Sequence, residues 1–400
     1  MTTTVLIAGG GIGGLTAALA LAQEHCDIHV FEQADGFDEV GAGIQLSPNC
    51  VHVLYQLGLS QGLAKVASEP EALEIRHFKD GHRIARSALG ETARRSFGYP
   101  YYHVHRADLL KVLSDTAGNT HNITLHTNTR IEGYHTYEDT VSVEVDNRTY
   151  TGNALIGADG IRSTIRARLF GEEPARYTGN VAWRALIPAN RVPANTISPT
   201  ATLWWGPNRH FVHYYVRGGQ LINCVCVIEK HEQELESWDR RGDLHELKTE
   251  FSGWHGTITT LIESIDPDTC FKWGLFDRPP MPAWSRGNIG LLGDACHPTL
   301  PFMAQGAAMA IEDAAVLAAC IGKFDHPGTA FAEYERLRKP RTEYVQKASR
   351  RNARIFHMAT PLRGIRDMLA GPAQTRVMNK LFDYDPYALV NESGASEPDG

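Results

Sequence analysis

The chain has 400 residues, of which 42% are hydrophobic and 21% charged, and its formal net charge is −7. This length exceeds what one core usually supports, so it predicts two domains of a globular protein. The negative charge argues against nucleic acid or an anionic membrane as the main partner, and no run approaches the ~20 apolar residues of a membrane-spanning helix. The 7 cysteines are scattered without a CxxC pair, which indicates reduced cytoplasmic thiols and no metal site.

The first predicted elements form a β–turn–α–β unit. TVLIAG (4–9) is a short β-rich run, LTAALALAQ (15–23) has a helical pattern, and DIHVFEQ (27–33) alternates like a second strand. A unit of this kind predicts a parallel sheet.

Further along, the pattern changes twice. RADLLKVLSDTA (106–117) is helical, and residues 123–160 predict a series of short strands that ends in ALIGAD. Between about 178 and 277 tryptophan and tyrosine cluster and the strands have an antiparallel pattern, with helix signals only near 240–265. NIGLLGDA (288–295) returns to the buried parallel-strand type, a helix follows at about 305–321, and residues 328–380 are predicted to be helical.

Glycines follow the first strand in the spacing GxGxxG, at Gly9, Gly11 and Gly14. The first permits a tight turn, the second lets the backbone approach a pyrophosphate, and the third lets helix and strand pack closely. Phosphate then lies at the helix N-terminus, where free N–H groups favour an anion. Glu32, at the end of the second strand, has the spacing needed to accept from an adenosine ribose hydroxyl. A plain glycine-rich turn has the same letters, but the strand–turn–helix context favours dinucleotide binding.

Two acidic turns follow strands later in the chain, at GADGIRSTIR (157–166) and GDACHP (293–298). Taken singly, Asp159 and Asp294 are each explained as helix caps, with Arg166 on a solvated face. The combination of both turns with GxGxxG is more specific than any one of them.

Together these three motifs resemble the fingerprints of the single-component FAD-dependent aromatic hydroxylases, which have the para-hydroxybenzoate hydroxylase-like fold. The resemblance extends from residue 3 to about 345. Within that family, EVGAGIQLSPN (39–49), HRADL (105–109) and WGPNRHFVHYYVRGGQLIN (205–223) most resemble salicylate hydroxylase, 3-hydroxybenzoate 6-hydroxylase and 6-hydroxynicotinate 3-monooxygenase.

The resemblance implies an α/β fold (α+β overall): a Rossmann-like FAD-binding domain, an inserted, mainly antiparallel β-sheet substrate domain, and a helical C-terminal region. The FAD-binding domain is expected to be discontinuous, with the substrate domain inserted into it. The expected bounds are 1–70, 100–177 and 278–345 for the FAD-binding domain, 71–99 and 178–277 for the substrate domain, 346–390 for the C-terminal helices, and 391–400 for a frayed tail.

The implied FAD site uses the motif residues and their neighbours. Arg106 would join the GxGxxG helix at the pyrophosphate, and Asp294 would accept from the ribitol hydroxyls. Asp159 is expected to lie near the pyrophosphate and ribitol, and the resemblance implies that it also matters for the use of NAD(P)H. The remaining expected cofactor residues are the three that let backbone pass the isoalloxazine ring (Gly41, Ala42 and Gly43) and the three whose amides would face the flavin N1–C2=O edge (Gln305, Gly306 and Ala307).

In the implied reaction NADH or NADPH reduces the flavin, O2 adds to give a C4a-hydroperoxide, and oxygen transfers to an electron-rich aromatic ring. His210 and Tyr214, four apart on one strand, are the candidates for deprotonating a phenol. With Val212 they share a face, while Phe211 and His213 point the other way. His213 is the rival base, and a structural histidine is the alternative for His210. Pro298 is expected to form a wall at the site of oxygen transfer.

The substrate is expected to be a small phenolic aromatic acid of the salicylate type, with 3-hydroxybenzoate and 6-hydroxynicotinate as alternatives. Candidate substrate contacts are Gln45, Arg184, Pro301 and Phe302. Arg209 and Arg217 are further cations available for a carboxylate. Two other functions remain open: a flavin reductase or dehydrogenase acting on a hydrophobic substrate, and a non-catalytic nucleotide-binding protein. A cytoplasmic monomer or homodimer is expected.

Overall fold

The computed structural model describes residues 2–37, 42–230, 241–358 and 362–392. The prediction for Gly41 and most of the predicted tail lie outside these ranges. The described residues form eighteen strands: β1 Thr4–Ala8, β2 Asp27–Phe31, β3 Gly43–Leu46, β4 Ala72–His77, β5 Arg83–Ala88, β6 Tyr102–His105, β7 Ile123–His126, β8 Tyr134–Thr136, β9 Val141–Val145, β10 Arg148–Gly152, β11 Ala154–Gly157, β12 Arg176–Pro188, β13 Ala201–Gly206, β14 Arg209–Val216, β15 Leu221–Glu229, β16 Phe271–Asp277, β17 Ser285–Arg286 and β18 Ile289–Leu291.

Helices connect and cover these strands. Within the described ranges they are α1 Ile12–Gln23, α2 Pro48–Gln56, α3 Ser60–Val66, α4 Glu91–Phe97, α5 Arg106–Gly118, α6 Thr164–Phe170, α7 Leu244–Glu250, α8 Gly256–Glu263, α9 Gly306–Lys323, α10 Pro327–Phe356, α11 Arg363–Phe382 and α12 Pro386–Glu392. None of them combines the length and apolar character needed to cross a membrane.

A six-stranded sheet has the order β17-β18-β11-β1-β2-β7. Its central pairs are all parallel, and only the short edge strand β17 runs antiparallel. The strands that precede GxGxxG, GADGIRSTIR and GDACHP are β1, β11 and β18, which are neighbours in this order. Because parallel strands end at the same edge, the three motifs meet there, as parallel β–α–β topology requires.

The second large sheet has seven strands in the order β16-β12-β15-β14-β13-β4-β5 and is mainly antiparallel. One face packs on α7 and α8 through a core that includes Trp183, Phe211, Cys224 and Cys226. The alternate positions of β12, β14 and β15 point to the other face and line a cavity.

The predicted mixture of a parallel nucleotide-type sheet and an antiparallel sheet is confirmed. The division into domains stays a prediction, and its bounds at 177 and 345 fall inside β12 and α10. α9 is rich in alanine because it is buried closely against α1, where a Cβ on Gly13 would lie 3.3 Å from that of Ala310.

Candidate active site

A cavity of about 710 Å³ lies between the motif-bearing edge of the parallel sheet and the free face of the antiparallel sheet. The predicted site residues that line it are Gly9, Gly11, Glu32, Gly43, Gln45, Arg106, Asp159, Arg184, His210, Tyr214, Asp294, Pro298, Pro301, Gly306 and Ala307. Gly14, Ala42, Phe302 and Gln305 do not line it.

The three glycines of GxGxxG differ in what surrounds them. Gly9 has φ +104°, and a Cβ there would lie 2.5 Å from the Ala158 carbonyl oxygen. A Cβ on Gly14 would lie 2.0 Å from the Gly9 oxygen, so this residue is needed for helix–strand packing. A Cβ on Gly11 would have no atom within 4 Å. Gly11 is also the N-cap of α1, so open space adjoins the helix N-terminus, which suits an anion.

Glu32 lies on the rim of this loop and lines the cavity. Its carboxylate accepts from the Gly10 N–H at 2.7 Å and from the Ala34 N–H at 2.9 Å. These backbone bonds fix both oxygens and leave each with a free lone pair for a hydroxyl group.

Asp159 has one oxygen engaged and one left over. Oδ2 accepts from the N–H groups of Thr164 at 2.7 Å and Ile165 at 3.1 Å, while Oδ1 is buried with no partner in the described part of the chain. The N-cap of α6 is Ser163, and Asp159 adds to the capping through Oδ2, so the cap explanation is right in part. The unpaired Oδ1 is a buried acceptor on a residue that lines the cavity. The idea that Arg166 lies on a solvated face is wrong: Arg166 is buried and donates to the carbonyls of Ile161 and Ala295, which ties the two acidic turns together.

Asp294 and Arg106 both line the cavity, and their opposite charges interact. Burial raises the pKa of Asp294, an effect that His297 and Arg106 oppose. Burial lowers the pKa of Arg106, and Asp294 opposes that shift. The pair therefore supplies one acceptor and one cation to the same part of the cavity.

The N-terminus of α9 also reaches the cavity, through Gly306 and Ala307. The side chain of Gln305 lies behind it: Nε2 donates to Ser47 Oγ at 2.9 Å, and Oε1 accepts from Asn49 at 3.3 Å. Gln305 thus holds the start of α9 against α2, and an 18-residue helix presents its positive end to the cavity.

A buried ion network under α9 was not predicted. His297 Nε2 contacts Asp313 Oδ2 at 2.6 Å, and Arg338 bridges Asp313 and Glu312 at 2.7 Å each, with the last three side chains fully buried. Burial opposes ionisation of Asp313, but the charges of His297 and Arg338 outweigh it and hold its pKa below the ordinary value. The sequence signal was the pair Glu312-Asp313 inside an alanine-rich helix, which has no reason to be there unless it is paired.

On β14 the predicted alternation is confirmed. His210, Val212 and Tyr214 line the cavity, while Phe211 lies in the core on the other face. His213 is also on that face, where it accepts from Trp204 Nε1 at 3.0 Å. His213 is therefore not placed to act in the cavity.

His210 has a partner that the sequence did not reveal. Its Nδ1 lies 2.8 Å from Nε2 of His357, which follows α10. Burial, with a further effect from His357, lowers the pKa of His210 well below its usual value. Phe302, predicted as a substrate contact, packs its ring 5.3 Å from that of His210 and lies behind the cavity wall, whereas Pro301 forms part of the wall.

Tyr214 and Gln45 belong to a hydrogen-bonded cluster on the same wall. Tyr101 OH donates to Gln45 Oε1, and Gln45 also bonds Tyr214, whose pKa burial raises. Gly43 donates to Asn223 Oδ1 at 2.7 Å, and a Cβ on Gly43 would lie 2.8 Å from both Asn223 and Tyr214. The glycine at 43 is thus required by protein side chains.

Three arginines were candidates for a carboxylate, and their surroundings separate them. Arg209 pairs with Glu250 at 2.7 Å and Arg217 with Asp108 at 2.7 Å. Nε of Arg184 is buried without a hydrogen-bond partner, and no carboxylate in the described ranges pairs with its guanidinium, which lies 5.4 Å from the Trp273 ring. Arg184 is therefore the unneutralised cation of the three.

The model for the family described as "FAD binding domain" matches residues 2–349. The chain therefore belongs to the FAD binding domain family. It is 36% identical over 383 residues to a 3-amino-4-hydroxybenzoate 2-monooxygenase of Streptomyces platensis, covering 95% of this chain and 94% of the relative. It is 39% identical over 357 residues to a 3-hydroxybenzoate 6-hydroxylase of Polaromonas naphthalenivorans, covering 88% of each chain.

Among solved structures, a salicylate hydroxylase substrate complex superposes with a TM-score of 0.82 at 24% identity, covering 98% of this chain and 97% of that one. This likeness concerns the fold. The family match and the relatives identify the chain as an FAD-dependent aromatic monooxygenase.

The residues that line the cavity fit FAD independently of the family match. The space at Gly11 opens beside a helix N-terminus, the unpaired Oδ1 of Asp159 needs a donor, and Arg106 supplies a cation. A dinucleotide offers the matching anionic phosphates and sugar hydroxyls.

Proposed function

We propose that this enzyme uses FAD, NAD(P)H and O2 to hydroxylate a small phenolic aromatic acid of the salicylate type. The observation that carries the substrate class is the unneutralised guanidinium of Arg184 on the same cavity wall as His210 and Tyr214. Arg184 is half-buried, and a partly desolvated cation without a counterion is unfavourable until an anion binds, so the cavity favours a carboxylate-bearing ligand.

The roles of the chain's residues follow from their positions. Arg184 would bind the carboxylate, and His210 would accept the phenolic proton, because a phenolate ring is more electron-rich than a phenol ring. Val212, Val225 and Pro298 are apolar parts of the wall and would exclude water from the ring. Bound FAD supplies the redox and oxygen chemistry.

Tyr214 would position the substrate and would not exchange a proton with it. Its hydroxyl has a raised pKa and is therefore neutral at physiological pH, so it is a hydrogen-bond donor or acceptor and not a charge. Through Gln45 it is held in one orientation, next to Arg184. We infer that it orients the substrate.

The main alternative substrate is 3-hydroxybenzoate, because a relative of that name is 39% identical over 357 residues. 6-Hydroxynicotinate remains the other alternative. All of these are aromatic acids with a ring hydroxyl group, so Arg184 and His210 would have the same roles. A cytoplasmic location and a monomeric or homodimeric state remain predictions.

The test is a panel of salicylate, 3-hydroxybenzoate, 4-hydroxybenzoate and 6-hydroxynicotinate, with stimulated NADH and NADPH oxidation measured and each product identified. The matched variants are Arg184→Met and Arg217→Met. Loss of a buried charge-assisted contact costs about 2–3 kcal/mol, so R184M should raise KM for the accepted acid by ~30–150-fold.

R217M should leave KM close to the wild-type value, because Arg217 pairs with Asp108 at the surface. A phenol without a carboxylate should react equally poorly with wild type and R184M. An unchanged KM in R184M would contradict the role of Arg184. No stimulation by any acid of the panel would contradict the substrate class.

A further inference from the structure

Three side chains form a hydrogen-bonded chain from the cavity to the surface. His210 Nδ1 lies 2.8 Å from His357 Nε2, and His357 Nδ1 lies 2.9 Å from Glu229 Oε1. The His357 side chain is 1% exposed, whereas that of Glu229 is 41% exposed. His210 lines the cavity, so the chain joins the cavity wall to the protein surface at Glu229 through two imidazole rings.

When both imidazole rings are neutral, the acceptor at the outer end fixes the direction of every bond. An ionised carboxylate only accepts, so His357 carries its proton on Nδ1 and donates to Glu229. The unprotonated Nε2 of His357 is then an acceptor, and His210 must carry its proton on Nδ1. This leaves Nε2 of His210 unprotonated, as a base needs to be.

A proton taken up by His210 cannot stay there at low cost. His210 is 3% exposed, its ring packs against Phe302 and Phe356, and burial disfavours its charged form. Arg184 adds a positive charge on the same cavity wall. Charging a buried group without a partner costs several kcal/mol, so the base works efficiently only if the charge leaves.

We propose that His357 and Glu229 carry the phenolic proton from His210 to solvent, an inference that rests on the proposed function. Nε2 of His210 takes the proton of the phenol, and the Nδ1 proton of His210 passes to Nε2 of His357. The Nδ1 proton of His357 passes to Glu229 and then to water. One proton enters the chain, one leaves it, and the two rings end in the opposite tautomers. Reversal of the same steps, or rotation of the rings, resets them.

The first test needs no substrate. The holoenzyme labelled with ¹⁵N-histidine is studied by NMR, with signals assigned through His210→Gln and His357→Gln. In the tautomers that the relay needs, both rings carry their proton on Nδ1, which is the less common tautomer of free histidine. A proton on Nε2 of His210 would overturn the proposal, because that ring would then present a donor to the cavity.

The second test measures proton transfer directly. Oxidised holoenzyme is mixed rapidly with the panel acid that stimulates NADH oxidation most, and ionisation of the bound phenol and proton release to a pH indicator are followed. The variants are Glu229→Gln and His357→Gly, with Glu144→Gln as the control. Glu144 is an exposed strand residue on a separate small sheet.

E229Q and H357G should slow proton release at least about tenfold, as expected for loss of a proton-transfer partner. Position 357 follows the last turn of α10 and accepts from Asn208 N–H through its backbone, so glycine keeps that bond. Imidazole added to H357G should restore proton release, which a purely structural role would not allow. E144Q should match wild type.

Wild-type rates in E229Q and H357G would overturn the relay. If none of the panel acids stimulates NADH oxidation, the proposed function is wrong, and the tautomer measurement alone then decides the hydrogen-bonded chain.

Discussion

The glycine loop provides two substitutions of the same chemistry with opposite expected effects. Gly14→Ala places a methyl group 2.0 Å from the Gly9 carbonyl oxygen and 3.1 Å from its carbon. An ordinary C···O contact is about 3.3–3.6 Å, so the overlap exceeds 1 Å and is with backbone. Gly11→Ala places the same group where no atom lies within 4 Å.

The magnitudes follow from these distances. Overpacking costs ~1–3 kcal/mol, and a backbone clash belongs at or above the upper end. Better helix propensity of alanine in α1 returns about 1 kcal/mol, so Gly14→Ala should lose ~2 kcal/mol or more. Gly11 has φ −71° and ψ −174°, which alanine adopts readily, so Gly11→Ala should lose less than about 1 kcal/mol.

Stability should be lower in Gly14→Ala, whereas FAD affinity should be lower in Gly11→Ala. The methyl of Gly11→Ala occupies the space that the pyrophosphate needs, so FAD should bind at least about tenfold more weakly, or ~1.4 kcal/mol. The assays are urea unfolding of the apoprotein and titration of flavin fluorescence. Apoprotein of Gly14→Ala as stable as wild type, or unchanged FAD affinity in Gly11→Ala, would refute this account of the loop.

Three further substitutions test the site. Asp313→Asn breaks a buried ion network and should lower the free energy of unfolding by ~3–5 kcal/mol at pH 7. Because the pKa of Asp313 is lowered on folding, the difference from wild type should shrink as the pH falls below about 4. Urea midpoints at several pH values measure this. His210→Ala should keep its FAD absorbance but lose product formation by about 10²–10⁴-fold, and an unchanged product yield would remove this base from the mechanism. Gly43→Ala should destabilise the apoprotein by ~1–3 kcal/mol, because its Cβ would lie 2.8 Å from Asn223 and Tyr214; equal urea midpoints would contradict this.

Local features were predictable because neighbouring residues determine them. The β–turn–α–β unit, the tight turn at Gly9, the close packing at Gly14, and the alternation along β14 all depend on strand period and turn chemistry. The orientation of His210 and Tyr214 toward one face needed no tertiary information.

Pairing across the fold was not predictable. His357 lies 147 residues from His210, and nothing local marks it as a partner. The three arginines differ only in whether a distant carboxylate reaches them, which left Arg184 unresolved until the ion pairs of Arg209 and Arg217 were seen. Phe302 was misplaced because a proline-bearing turn at 301–303 sends successive side chains in different directions.

The proposed activity is the transfer of one oxygen atom from O2 to a phenolic acid in this cavity. The most direct measurement is a turnover in ¹⁸O2 with NADH and each panel acid, followed by mass spectrometry of the product. The product of the accepted acid should contain one ¹⁸O atom, and His210→Ala should reduce its yield. NADH oxidation without ¹⁸O in any aromatic product would contradict the claim and favour a flavin reductase.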